Sequence, residues 1–151
     1  MQKRKRIKTI LLALLVIGLI GGLYAYKEYN RKNVDLTSIT PAFVMMDTEL
    51  INQFTENAIS SNKKYLGKVI ELNGTIKKVD TDPKGFHTVV IGNPTSMNSV
   101  RCSMDSSINK LADNLKVGET LTLRGICTGY NADDLGLGSD VILNRCLISK
   151  K

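Results

Sequence analysis

The feature that most limits how this chain can fold is an uncharged run of 18 residues, 9–26, near its N-terminus. A helix rises about 1.5 Å per residue, so such a run would span about 27 Å, close to the hydrocarbon thickness of a bilayer. A soluble helix is rarely apolar on every face. Residues 9–26 are therefore predicted to form a transmembrane signal anchor.

The residues before this run set the predicted orientation of the anchor. Five of the first eight residues are basic: Lys3, Arg4, Lys5, Arg6 and Lys8. Positive residues stay on the cytoplasmic side, so residues 1–8 are predicted to be cytoplasmic and the C-terminal domain periplasmic or otherwise extracytoplasmic. The alternative is a cleaved signal peptide, which would have a shorter apolar region and a small residue where Leu23 stands. Cleavage is left open.

The charge of the chain divides at the same place. Lys and Arg number 21 and Asp and Glu 14, a net charge of +7. Five of the basic residues precede the anchor, so residues 9–151 carry only +2. Nucleic-acid binding would call for a clustered basic face, which the rest of the chain does not suggest.

Residues 27–46 lack a sustained period and contain Pro41, so they are predicted to be a linker. The folded domain is then expected to cover residues 47–151. It opens with an amphipathic helix at 47–62, where Asp47 is a candidate cap and Leu50, Ile51 and Phe54 form an apolar stripe.

From residue 68 onward the apolar period changes from helical to two, which predicts strands. Gly74 falls on the apolar side of the first strand, where it permits a bend. One short helix at 106–115 interrupts the series. Strands are predicted at 68–79, 86–92, 99–104, 119–130 and 140–149. The order β-β-β-α-β-β indicates a mainly β protein with a five-stranded OB-fold barrel.

Two stretches also resemble a known family. The segment ELINQFTENAISSNKKYLGKVIELNGTI resembles the start of the tRNA_anti-like domain, and VGETLTLRGICTGY with DVILNRCLI resembles its closing half, including Cys127 and Cys146. The positions that carry the first likeness are Asn62, Lys64, Tyr65, Gly67, Lys68 and Gly74. The resemblance covers about residues 47–149.

This resemblance implies an OB fold in a bacterial protein that is membrane-anchored or a lipoprotein. Functions in the family are uncharacterised, so it supplies no catalytic or nucleic-acid-binding residues. Fold alone does not determine function.

The three cysteines are Cys102, Cys127 and Cys146. If the last two strands form a hairpin centred between Gly136 and Gly138, Cys127 lies opposite Cys146. Disulfides persist in extracytoplasmic compartments, so this pair is predicted to form one, with Cys102 as a buried thiol. The alternative is that all three are small core residues.

Other chemistries have weaker support in the sequence. His87 and the three cysteines lack the spacing of a zinc site, and Asp133, Asp134 and Asp140 do not fit a calcium loop. A single histidine gives no basis for a Ser/His/Asp arrangement. We therefore expect no metal, no cofactor and no enzymatic activity.

The sequence thus favours a membrane-tethered, extracytoplasmic binding or interaction module. Its ligand would be a small molecule, a glycan or an envelope protein, and the loops at 80–85 and 129–140 are candidate surfaces. Individual candidates for ligand contact are Arg101, Arg124 and Tyr130. The alternative is a nucleic-acid-binding OB-fold protein.

Overall fold

The computed structural model of the chain describes residues 2–29, 36–132 and 137–149, with side chains from residue 16 onward. The chain forms two compact units, residues 1–34 and residues 35–151.

The first unit contains one long helix, α1 (Gln2–Tyr29), whose described side chains are all exposed. In the part of the chain that the structure describes, no helix meets the combined length and hydropathy of a membrane span. The anchor at residues 9–26 stays a prediction from the sequence.

The described residues of the second unit form six strands and three short helices. In chain order they are β1 (Phe43–Met46), α2 (Asp47–Glu56), α3 (Ala58–Tyr65), β2 (Val69–Thr81), β3 (His87–Ile91), β4 (Ser99–Met104), a 3₁₀ helix (Asn109–Asn114), β5 (Thr120–Asn131) and β6 (Asp140–Ile148).

Five of these strands close into a barrel in the order β2-β3-β4-β6-β5, and β5 returns to pair with β2. Among these five strands all the pairings are antiparallel except that of β4 with β6. Side chains along β2 alternate between buried and half-buried up to Lys77, because successive residues point to opposite sides of a strand. This architecture confirms the predicted five-stranded OB-fold-like barrel.

Strand β1 lies inside the segment 27–46 that the sequence predicts to be a linker. It pairs in parallel with β2, from Phe43 opposite Ile70 to Met46 opposite Asn73. Leu36 is also buried. The folded domain therefore begins before residue 47, which corrects the predicted boundary.

The predicted helix at 47–62 is two helices, α2 and α3, joined at Asn57. The Asn57 side chain accepts a hydrogen bond from the backbone N–H of Ser60 at 2.9 Å and so caps α3. Asp47 is not the cap of α2, since Met46 occupies that position; Asp47 is instead the first helical residue and is buried. The side chains of Leu50 and Phe54 enter the barrel core, as the apolar stripe predicts.

The short helix predicted at 106–115 is a 3₁₀ helix of six residues. Ala112 is its buried residue, whereas Leu111 is half exposed. A 3₁₀ helix has about three residues per turn, so the side chains of the neighbouring Leu111 and Ala112 point in different directions.

The predicted register of the last two strands is wrong. Cys127 lies opposite Leu143, not opposite Cys146, because β5 and β6 pair about a centre roughly one residue earlier than predicted and β-bulges on both sides of Cys127 shift its partner further. All three cysteines are buried free thiols. The predicted Cys127–Cys146 bridge therefore loses its geometric basis.

Gly74 has a different role from the predicted bend. A Cβ atom on Gly74 would lie 2.5 Å from Oδ2 of Asp47, so the missing side chain makes room for the buried carboxylate at the start of α2. Burial raises the pKa of Asp47, and backbone hydrogen bonds from Thr48 and Thr75 partly offset this effect.

We expect the substitution Gly74→Ala to lower the free energy of unfolding by about 2 kcal/mol, because the added methyl group overlaps the Asp47 carboxylate. Urea unfolding of the full chain measures this change. Gly129→Ala is the matched control, since β5 leaves open space there. Equal losses in the two variants would contradict the role assigned to Gly74.

The buried Asp47 also predicts a pH dependence of stability. Its pKa is raised on folding above the ordinary value of 3.8, so the folded state holds the proton more tightly than the unfolded state. This contribution is present at pH values below 3.8 and is lost as the pH rises through the folded-state pKa. The unfolding free energy of the wild type minus that of Asp47→Asn should fall as pH rises across this window. A difference that is flat or grows with pH would refute the assignment.

Candidate ligand-binding cleft

A cleft of about 390 Å³ lies on the domain where β5, the end of β6 and the 3₁₀ region meet. Its apolar lining comes from Ile108, Leu111, Leu147 and Ile148, and its polar lining from Thr37, Arg124 and Ser149. This volume falls in the range of sites for small molecules, which are mostly apolar with a few placed polar groups.

Arg124 joins distant parts of the fold at the wall of this cleft. Its Nε and Nη2 atoms donate to Oε2 of Glu71 on the neighbouring strand β2 at 3.0 and 2.6 Å. Its Nη1 atom donates to the carbonyl oxygens of Leu36, Thr37 and Ile39, at 3.3, 3.3 and 2.9 Å. One guanidinium therefore fixes the segment before β1 onto the barrel.

The carboxylate of Glu71 is shared with the end of β6. The Ser149 hydroxyl donates to the same Oε2 atom at 3.1 Å. The side chains of Arg124 and Glu71 are each only 18% exposed, so solvent screens their attraction weakly. The ion pair neutralises the charged wall of the cleft, which suits an uncharged or amphipathic ligand.

Arg101, the second predicted contact residue, lies on the outer face of β4. Its Nη2 atom is 3.5 Å from Asp80, its Nη1 atom is 3.9 Å from Asp140, and its side chain is 40% exposed. Lys78 pairs with the same Asp80 at 2.6 Å. Burial raises the pKa of Asp140, and the charges of Arg101 and Lys77 partly oppose that rise. This face thus alternates positive and negative charge.

Tyr130, the third predicted contact residue, packs against the core. Its ring stacks on Phe54 of α2 with 5.2 Å between ring centroids and 25° between planes. Such a stacked pair stabilises the packing of α2 against the barrel. Arg101, Arg124 and Tyr130 therefore lie in three different environments, and only Arg124 borders the cleft.

His87 ties the 3₁₀ helix to β3. Its Nε2 atom is 2.8 Å from Oδ1 of Asp113, and its Nδ1 atom is 2.9 Å from the Thr81 hydroxyl. The residues that the structure describes contain no group of three or more potential metal ligands. Asp133 and Asp134, considered for calcium, lie outside the described residues.

Sequence reasoning missed two features of the surface. The sequence pattern places Glu71 on the outward side of its strand, and its partner Arg124 is 53 residues away in the chain. Phe86 is 46% exposed at the tip of the β2–β3 hairpin, beside Lys84. The carboxylate of Asp82 accepts hydrogen bonds from the backbone N–H groups of both residues at 2.8 Å and shapes this turn. The Asp-Pro-Lys-Gly sequence signals the turn but not the exposure of the ring.

Comparisons with known proteins agree with this architecture. The family model of the tRNA_anti-like proteins matches residues 1–147. No curated protein matches the sequence. The chain is similar to the crystal structure of a candidate nucleic acid-binding lipoprotein from Klebsiella pneumoniae, with 16% identity and a TM-score of 0.56, over 79% of this chain and 100% of that one. At this identity the likeness shows a common fold.

Two further solved structures are more distant. The Stn1–Ten1 complex of S. pombe is 17% identical with a TM-score of 0.35, over 55% of this chain and 59% of that one. Asparaginyl-tRNA synthetase from Pyrococcus horikoshii is 16% identical with a TM-score of 0.38, over 58% of this chain and 21% of that one. The chain thus spans less than two thirds of the length of these two proteins.

The geometry predicts that Arg124→Ala destabilises the domain far more than Arg101→Ala. Removing Arg124 takes the guanidinium donors away from the partly buried Glu71 and from three carbonyls. This loss should lower the free energy of unfolding by about 2–4 kcal/mol. Arg101 makes long, exposed contacts, so its loss should cost less than about 1 kcal/mol.

Urea unfolding of the full chain measures both changes. Amide hydrogen exchange at residues 36–42 should also accelerate in Arg124→Ala and stay unchanged in Arg101→Ala. Similar behaviour of the two variants would show that Arg124 does not hold this segment.

Proposed function

Because the chain belongs to the tRNA_anti-like family, we propose that it is a membrane-tethered OB-fold module that binds its ligand in the cleft beside Arg124 and catalyses no reaction. Residues 9–26 would hold the domain at the membrane, with its C-terminal part extracytoplasmic. The observation that carries the proposal is the cleft itself, a preformed cavity lined by aliphatic side chains and a neutralised ion pair.

The chemistry of the cleft favours an uncharged or amphipathic ligand. Arg124 is engaged by Glu71 and by three carbonyls, so an anionic ligand would have to compete with an existing carboxylate. The aliphatic residues offer apolar contact, and the hydroxyls of Thr37 and Ser149 lie beside them. A small molecule, a glycan or an apolar segment of an envelope protein would match this lining.

The membrane tether is supported by the sequence and by one relative. Five basic residues precede an uncharged run long enough to span a bilayer. The similar Klebsiella protein is described as a lipoprotein, a class held at a membrane by a different attachment.

Nucleic-acid binding is the second candidate, and a specific observation favours it. The same Klebsiella protein is described as a candidate nucleic acid binder. In this chain the hairpin tip with Lys84 and the exposed ring of Phe86 would be the place for a base to stack. Against this, the neighbouring face carries Arg101 paired with Asp80, where a strand-binding groove would need unpaired positive charge.

Site-specific photocrosslinking in intact cells separates the two candidates. A benzophenone amino acid would replace Leu111 at the rim of the cleft, Phe86 at the hairpin tip, or Val117, a still more exposed aliphatic residue outside both surfaces. We expect adducts at position 111 well above those at position 117, identified by mass.

Two outcomes would contradict the cleft as the binding site. One is a yield at position 111 equal to that at position 117. The other is an oligonucleotide adduct at position 86, which would establish the nucleic-acid alternative.

The tether has its own test. Alkaline phosphatase fused to the C-terminus should be active in a bacterial host, and green fluorescent protein fused at the same site should be dark. The reverse pattern would place the domain in the cytoplasm and overturn the proposed topology.

A further inference from the structure

The parallel pairing of β4 with β6 brings two buried cysteines together. Cys102 lies opposite Leu143, and Met104, two residues further along β4, lies opposite Cys146. Three residues of β6 therefore span the length of two residues of β4. This bulge shifts Cys146 by one residue along β4.

The backbone at Arg145 produces the shift. Arg145 has a φ of 56°, in the left-handed region that residues with a side chain rarely adopt. The carbonyl of Cys146 then accepts a hydrogen bond from the N–H of Asp105 at 2.9 Å, just beyond the end of β4. Strained backbone of this kind persists only where its surroundings hold it, and here it turns the Cys146 side chain into the barrel.

Space for the Cys146 thiol is provided by Gly125 on β5. A Cβ atom at Gly125 would lie 2.5 Å from the Sγ atom of Cys146, so no other residue fits there without displacing the sulfur. Both Cys102 and Cys146 are fully buried. Both side chains belong to the same buried core cluster.

Of the possible cysteine pairs, only Cys102 and Cys146 act on one another in the described residues. Burial raises the pKa of Cys146 well above its ordinary value, and the hydrogen bond that its thiol donates to Cys102, together with the negative charge of Cys102, raises it further. Burial also raises the pKa of Cys127, but its other influence is the N–H of Gly129, not a second thiol.

We propose that Cys102 and Cys146 form a disulfide that joins β4 to β6, and that Cys127 remains a thiol. This bridge differs from the Cys127–Cys146 pair that the sequence predicts. It would close a loop of about 40 residues, long enough for a cross-link to restrict the unfolded chain substantially. It would also fasten the parallel strand pair of the barrel.

The reaction is a thiol–disulfide exchange with an oxidised thiol–disulfide oxidoreductase or oxidised glutathione. One cysteine thiolate attacks the disulfide of the oxidant, forming a mixed disulfide and releasing one thiol. The second cysteine thiolate then attacks the mixed disulfide, forms the Cys102–Cys146 bond and releases the second thiol. The protein loses two electrons and two protons, and the oxidant gains them. Because both sulfurs are buried, exchange takes place before β6 docks on β4.

Oxidative refolding of the full chain tests the pairing independently of where the protein resides. The unfolded, reduced chain is refolded in detergent with reduced and oxidised glutathione, free thiols are alkylated, and the unreduced protein is digested with trypsin. Cleavage after Arg101, Lys110, Arg124, Arg145 and Lys150 places each cysteine on its own peptide. Mass spectrometry should find peptide 102–110 joined to peptide 146–150, and an alkylated Cys127.

Matched variants sharpen the test. The substitution Cys127→Ser should keep the link, while Cys102→Ser and Cys146→Ser should abolish it. The urea midpoint of the wild type and of Cys127→Ser should fall on reduction, whereas that of Cys102→Ser should not move.

A link that contains peptide 125–145, or three alkylated thiols after refolding, would overturn the proposed pairing. The same digest of protein isolated from its native cells tests the compartment. A link that forms in refolding but is missing from cells supports the pairing and counts against the extracytoplasmic placement of the domain.

Discussion

The ion pair between Arg124 and Glu71 is the interaction on which the rest of the domain depends. It connects β5 to β2 and, through the carbonyls that Arg124 holds, connects both strands to the segment before β1. The same Glu71 oxygen receives the hydroxyl of Ser149 after β6. A partly buried pair is costly to desolvate, and several good hydrogen bonds to each partner are needed to offset that cost. Arg124 and Glu71 meet this condition, and the cleft lies along the wall that they stabilise.

Much of the fold could be predicted from local patterns. The alternation from Ile70 to Ile76, the turn residues after it and the apolar stripe of α2 are local signals, and each indicates the correct type of element. The order of the strands then indicates the barrel. Strand β1 could not be found in this way, because a four-residue strand has too short a pattern and its partner, β2, lies far along the chain.

The predicted register of β5 and β6 was wrong for a related reason. Counting outward from a turn assumes strict alternation, and a single bulge reverses the parity of every residue beyond it. Arg145 adopts a left-handed backbone that its side chain gives no reason to expect. The predicted position of Cys146 opposite Cys127 is therefore wrong, since Leu143 lies opposite Cys127.

The candidate site shows the same limit. Arg101 and Arg124 read alike in sequence, as cations at outward strand positions, yet Arg101 makes long exposed contacts and Arg124 is bound on several sides. Their partners are separated from them by 21 to 88 residues, so no local pattern distinguishes the two. Tyr130 likewise pairs with Phe54 from a helix far earlier in the chain.

We propose that the mainly aliphatic cleft beside the Arg124–Glu71 ion pair holds a ligand in the cell. Amide hydrogen exchange in native membrane vesicles, compared with the purified full chain, tests this claim most directly. If the cleft holds a ligand in the cell, residues 108–111 and 147–149 should exchange more slowly in vesicles than after purification. Equal exchange at these residues, or protection confined to the hairpin tip at 84–86, would contradict the claim.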